Sequence, residues 1–288
     1  MSEKPPEHKR VTPLNLAVAI GIVAAIQLVA LAITNQNLPV YQPIVAAGNY
    51  SYNPLGSTPQ GSAGNAILLV ALAFGLTLGL VWLLRRKMVG SFKVLVFGSV
   101  SLSSFILTLI TADSFAFTYL PRSLELVVSF GSAVAVVLLV GYTIFVKDRL
   151  WLSTVLLAFI GAEVGSFFAS SLPLYTALIL PAAFSIYDIY AVFKGPLKAL
   201  IGTAPNIALV GMSIKAGEFT LGLGDIVFYT MLPSLALFYR TPLASGLTIV
   251  AIDAGVVATL FLLSRKRLLP GLPIPMLLGL IVLGAFLL

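Results

Sequence analysis

Nine long apolar stretches, separated by gaps too short to fold alone, constrain this chain more than any other feature of its sequence. A bilayer core is crossed by ~20 apolar residues in a helix. Stretches of that kind lie at Leu14–Thr34, Asn65–Leu84, Val94–Thr111, Leu124–Val146, Trp151–Ser171, Pro173–Phe193, Leu221–Tyr239, Leu243–Ser264 and Pro270–Leu288. They hold 184 of the 288 residues, so no soluble domain fits between them. Charged residues make up 9% of the chain, against roughly 25% in an ordinary soluble domain. A soluble globular enzyme and a disordered protein are excluded. The absence of cysteine excludes a disulfide scaffold, thiol catalysis and cysteine-ligated metals. The expected fold class is all-α: one polytopic membrane domain over residues 1–288 with nine transmembrane helices.

The few charges set an orientation. Lys4, Lys9, Arg10, Arg85, Arg86, Lys87, Lys93, Lys147, Arg149, Lys194, Lys198, Lys215, Arg265, Lys266 and Arg267 fall in gaps on one side, 15 in all, against Arg122 and Arg240 on the other. Short loops rich in Lys and Arg stay in the cytoplasm. The split predicts a cytoplasmic N-terminus, a C-terminus outside, and residues 194–220 as a cytoplasmic loop between spans six and seven. The net charge of +7 is therefore a topology signal, and no nucleic-acid partner is read from it. The basic tail, apolar run and Ala30-Leu31-Ala32 resemble a signal peptide. The run exceeds a usual signal core, so the first span is expected to be retained. The outside segment Asn35–Gly64, rich in Pro, Gly, Asn, Ser and Tyr, is expected to be irregular, and Asn49-Tyr50-Ser51 matches a glycosylation sequon.

Four carboxylates lie well inside spans, Glu163, Asp188, Asp225 and Asp253, while Glu125 is only the second residue of span four. No Lys, Arg or His lies inside a span; the single histidine, His8, is in the tail. A carboxylate at the bilayer centre costs ~2.5–3.5 kcal/mol on insertion scales. With no intramembrane cation, such groups are protonated, share a proton or face water. Depth separates them. Asp188 lies six residues before Lys194, and Asp225 seven after Glu218. Both are roughly 9–11 Å inside their polar markers. They sit at nearly equal depth on antiparallel neighbours. Glu163 and Asp253 lie nearer mid-membrane and read as satisfied internal polar groups.

The surroundings sharpen the pair. Gly222-Leu223-Gly224-Asp225 removes side chains at two positions, letting another backbone approach a carboxylate. Tyr187 precedes Asp188 and either donates a hydrogen bond or packs; Tyr190 reads as packing. Span nine opens Pro270-Gly271-Leu272-Pro273-Ile274-Pro275, and proline's missing amide leaves the helix start irregular. Irregular backbone at membrane depth is tolerated where it is buried or lines a wet cavity.

These residues resemble the presenilin and signal-peptide-peptidase family of intramembrane aspartyl proteases. Tyr187-Asp188 is similar to the family's Tyr-Asp in span six. Gly222-Leu223-Gly224-Asp225 is similar to its Gly-x-Gly-Asp in span seven. Pro270-Gly271-Leu272-Pro273 resembles its Pro-Ala-Leu-Pro in span nine, with glycine where alanine is usual. Order, span numbers and common depth make the combination specific. The inferred orientation is the presenilin one, and the compact chain looks more like a microbial homologue than an animal presenilin. The resemblance implies a presenilin-like fold and an aspartic endopeptidase that cleaves transmembrane substrates with Asp188 and Asp225 as catalytic dyad. Tyr187, Gly222, Leu223, Gly224, Pro270, Gly271, Leu272 and Pro273 would support substrate. It implies no cofactor and no metal. It also raises self-cleavage within 194–220. Oligomeric state is left open.

Other chemistries fit these residues less well. A prepilin-type peptidase also carries Gly-x-Gly-Asp but lacks the nine-span pattern and the Pro-x-Leu-Pro element. A rhomboid Ser-His dyad or a His-Glu-x-x-His zinc site needs an embedded histidine. A proton- or cation-conducting transporter using the embedded acids is the non-enzyme alternative.

Overall fold

The computed structural model describes residues 12–146, 150–195, 212–216, 219–263 and 269–287. Among these lie nine α-helices and one hairpin: α1 Pro13–Ala46, α2 Pro59–Arg85, α3 Val89–Tyr119, α4 Arg122–Gly141, α5 Leu150–Ser171, α6 Leu174–Phe193, β1 Ser213–Ala216, β2 Phe219–Gly222, α7 Leu223–Tyr239, α8 Pro242–Leu263 and α9 Pro273–Leu287. A π-helical turn, Tyr142–Val146, continues α4. The N-terminal tail with His8, the basic run Arg265–Arg267 and most of the 194–220 segment lie outside the described residues.

Three helices start on the same Thr-Pro signal. Thr12, Thr58 and Thr241 each accept an amide hydrogen three residues on, from Asn15 at 3.2 Å, Gly61 at 3.1 Å and Ala244 at 3.1 Å. The proline after each occupies the first helical position, where its missing N–H costs nothing.

The segment Asn35–Gly64 is less irregular than its composition predicts. Helix α1 runs to Ala46 with Pro39 and Pro43 inside it, and α2 begins at Pro59. Tertiary contacts hold the extra turns of α1. Gln36 Nε2 donates to Ser114 O and Thr118 Oγ1, at 3.0 and 3.2 Å. Tyr41 packs edge-on to Phe167 at 6.2 Å. Propensity is a weak guide where such contacts are available.

Seven helices are long and apolar enough to cross a membrane, making this a multi-pass integral membrane protein. The other two, α7 with 17 residues and α9 with 15, are apolar but short. At 1.5 Å per residue they reach ~22–26 Å, less than the ~30 Å core. Each is short because its first predicted residues do something else. Leu221 and Gly222 belong to β2, and Pro270–Leu272 is non-helical. The all-α expectation thus holds for the bundle, with a small antiparallel hairpin added. Its register pairs Ser213 with Gly222, Ile214 with Leu221, Lys215 with Thr220 and Ala216 with Phe219.

Helix α7 is the centre of the molecule. Every residue from Ile226 to Ala236 is buried, the signature of a helix surrounded on all sides. It packs on α5, α1, α8 and α9. Helix α6 packs instead on α2 and α9 and touches α7 only lightly. In lipid, helices associate through close packing rather than hydrophobic drive, and small residues allow it. Gly161 and Gly165 on α5 supply that room. A Cβ on Gly161 would lie 2.7 Å from Ile226 Cγ2, and one on Gly165 would fall on Thr230 Oγ1 and 2.7 Å from Val227 O.

Candidate active site

The two aspartates are presented by different local devices. Asp225 is the third residue of α7, with Gly222 as N-cap. The Gly222 N–H donates back to Asp225 Oδ2 at 3.3 Å. This carboxylate sits against the helix's amide end, where negative charge is favoured. Asp188 lies in the last two turns of α6. Its Oδ2 accepts the Leu272 N–H at 3.0 Å, and the Gly271 amide is directed at the same group.

The segment before α9 is where these groups meet. Gly271 faces Asp225 so closely that a Cβ there would lie 2.9 Å from Oδ2, 3.0 Å from Cγ and 3.1 Å from Oδ1. One residue on, Leu272 holds Asp188. Pro270-Gly271-Leu272 therefore bridges both carboxylates with its backbone. A third tie comes from Tyr229, one turn beyond Asp225. Its buried hydroxyl donates to Gly271 O at 2.8 Å.

The other site residues divide. Tyr187 spends its hydroxyl on Thr77 Oγ1 at 3.1 Å and packs against Phe74 and Phe184, 6.2 and 6.0 Å between ring centres. It fixes α6 against α2. Tyr190 is half-exposed and meets the same Phe74 ring. Gly222 N–H serves Asp225, whereas Gly224 is exposed and faces open space. Within the chain itself, the backbone that approaches Asp225 most closely among the glycines is that of Gly271. Leu223 N–H donates to Met212 O at 2.9 Å, tying the start of α7 to the hairpin. Pro270 and Leu272 are buried; Pro273 begins α9.

Glu163 and Asp253 lie apart from this cluster. Thr108 Oγ1 donates to Glu163 Oε2 at 3.0 Å. Asp253 lies beside Gln27, whose Nε2 donates to Tyr229 O at 3.3 Å, and Asp253 Oδ1 and Glu163 Oε1 are buried without a hydrogen-bond partner among the described residues. Sequence reasoning missed Tyr229, although its i+4 spacing from Asp225 puts both on one helix face. It also missed the Gly161-x-x-x-Gly165 seat that holds α7.

Two carboxyl groups held against the same Gly271-Leu272 segment do not both ionise easily, so the pair is suited to sharing one proton.

Comparison with known proteins identifies the family and the fold. The family model described as Presenilin matches residues 8–208, which include Asp188. Presenilin-B of Dictyostelium discoideum is 38% identical over 120 residues, spanning 38% of this chain and 25% of that protein. The chain thus matches about a quarter of that relative's length. Among solved structures, a presenilin family intramembrane aspartate protease in space group C222 superposes with a TM-score of 0.63 at 19% identity, covering 94% of this chain and 98% of that one. Another such structure, in space group P2, gives 0.59 at 20% identity, covering 96% and 98%. At that identity the superpositions establish the fold. With the family model covering well over half its length, the chain belongs to the presenilin family.

Proposed function

We propose that this protein is an intramembrane aspartyl protease that hydrolyses peptide bonds in or near transmembrane segments of other membrane proteins. The observation that carries the reading is the convergence of Asp188 and Asp225 on the Gly271-Leu272 backbone. One carboxyl is protonated and the other ionised. The ionised member takes a proton from a water held between them as that water attacks the scissile carbonyl. The protonated member donates to the carbonyl oxygen. The tetrahedral intermediate collapses as the leaving nitrogen is protonated. No cofactor enters these steps. Which aspartate starts protonated is a property of the coupled pair.

A substrate helix hides its peptide bonds and must unwind locally. Its freed backbone groups need partners, and strand addition supplies them. The hairpin leads directly into Gly222–Asp225 and is the natural edge for that pairing. The predicted edge, Ala208–Ser213, meets the described residues only at Met212, immediately before β1, and at Ser213, its first residue. If deleting residues 208–213 left cleavage unchanged, strand addition there would be wrong. Charge distribution supports a cytoplasmic N-terminus and an outside C-terminus, so the dyad lies toward the cytoplasmic side.

The test is cleavage of a single-span peptide by purified protein in detergent. Asp188→Ala and Asp225→Ala should each abolish it with the fold intact. Retained cleavage in either variant overturns the dyad. Proton or cation flux with no cleavage of any offered peptide would favour a transporter instead.

A further inference from the structure

A second feature lies away from the aspartates, on the lipid-facing surface between α1 and α5. An open groove of about 630 Å³ runs there. Ile22, Ala25 and Val29 form one wall, and Trp151, Val155 and Ala158 the other. Each wall is a single i, i+3, i+4, i+7 stripe, so the groove follows the helix axes. The stretches 22–29 and 151–159 make it ~10–12 Å long, comparable to one leaflet of a ~30 Å core. Its walls are apolar, and the exposed Lys215 of β1 stands at its edge. Ile214 and Ala216, on either side of Lys215, are fully buried, and β1 packs on both α1 and α5.

An apolar channel one leaflet deep, ending beside an ammonium and an interfacial tryptophan, has the polarity of an anionic amphiphile. Cations near the surface attract acidic lipids, while tryptophan favours the headgroup level. We propose that the α1–α5 groove is a binding site for an anionic phospholipid, with an acyl chain against Ala25 and Ala158 and the phosphate at Lys215. The lipid would touch the strand whose partner, β2, leads into Asp225. Bilayer charge would thereby reach the hairpin without contact with the dyad.

The chain has two tryptophans, which makes a direct test available. Trp82 is half-exposed, and Arg86 stacks on it at 5.7 Å. It would report its own lipids and must be replaced. The Trp82→Phe protein is reconstituted in phosphatidylcholine vesicles carrying a minor fraction of brominated phosphatidylglycerol or brominated phosphatidylcholine. Quenching of Trp151 is then measured. Phosphatidylglycerol is expected to compete about fivefold better, the preference one lysine confers near an anionic surface. Lys215→Gln should remove that preference. Ala158→Phe should fill the groove and reduce quenching by both lipids. Equal quenching by the two lipids overturns the proposal, as does a preference that survives Lys215→Gln. Trp151 shielded from both lipids would mean that another part of the chain fills the groove, which also overturns it. The readout involves no proteolysis, so it stands or falls separately from the protease reading.

Discussion

Gly271→Ala adds one methyl group beside Asp225, and it should be damaging. Its Cβ would meet three atoms of the Asp225 carboxyl at 2.9, 3.0 and 3.1 Å, whereas ordinary contact begins at 3.4 Å. Something must give by a few tenths of an ångström, and both ways of giving cost the site. If Asp225 turns away, its bond from the Gly222 N–H, already 3.3 Å long, is lost. If the Pro-Gly-Leu segment retreats, the Leu272–Asp188 bond of 3.0 Å and the Tyr229–Gly271 bond of 2.8 Å stretch. A hydrogen bond to a charged group contributes about 1.5–3 kcal/mol. Felt mainly in the transition state, that is roughly a 10- to 100-fold loss in rate. The assay is steady-state cleavage of a single-span peptide in detergent, with thermal unfolding alongside. We expect kcat to fall by that factor, KM to move little and the protein to stay folded. A variant cleaving within about twofold of wild type would show that Gly271 does not seat against Asp225 as described.

Other perturbations separate site from scaffold. Tyr229→Phe removes only the hydroxyl that holds Gly271 O; a net loss of about 0.5–1.5 kcal/mol should lower kcat several-fold in a folded protein, and unchanged kinetics would make Tyr229 a packing residue. Gly165→Val places bulk where Thr230 and Val227 already sit and should destabilise by about 1–3 kcal/mol, read as a lower melting temperature with reduced cleavage. Gly246→Ala on α8, with open space around it, should show neither effect. Glu163→Gln can still accept from Thr108 and should leave cleavage within about twofold; an inactive but folded variant would bring Glu163 into the chemistry.

Much of this was legible in the sequence, and the remainder was hidden for physical reasons. Hydropathy alone located the helices, because lipid demands long apolar runs. It overstated α7 and α9, because hydropathy cannot register that Leu221-Gly222 pairs with Ser213-Ile214 or that Pro270–Leu272 leaves the helix. It understated α1, because Pro39 and Pro43 read as breakers while the holding contacts come from Ser114, Thr118 and Phe167, far away in sequence. Asp188 and Asp225 stood out through scarcity of charge and equal depth. The backbone that joins them was harder to see. The placement of Gly271 against Asp225 depends on how α9 packs on α6 and α7, which no local pattern encodes. Tyr187 sits beside Asp188 in sequence but on the α2 side of the helix, since successive residues on a helix point about 100° apart.

The most direct measurement replaces each aspartate by its neutral isostere. Asp188→Asn and Asp225→Asn keep side-chain volume while removing the shared proton and the charge. Purified protein should retain its elution profile and melting temperature, while cleavage of a single-span peptide falls by at least about a thousandfold in each variant, within the range general acid–base groups contribute. Cleavage near the wild-type rate in either folded variant would contradict the two-aspartate mechanism.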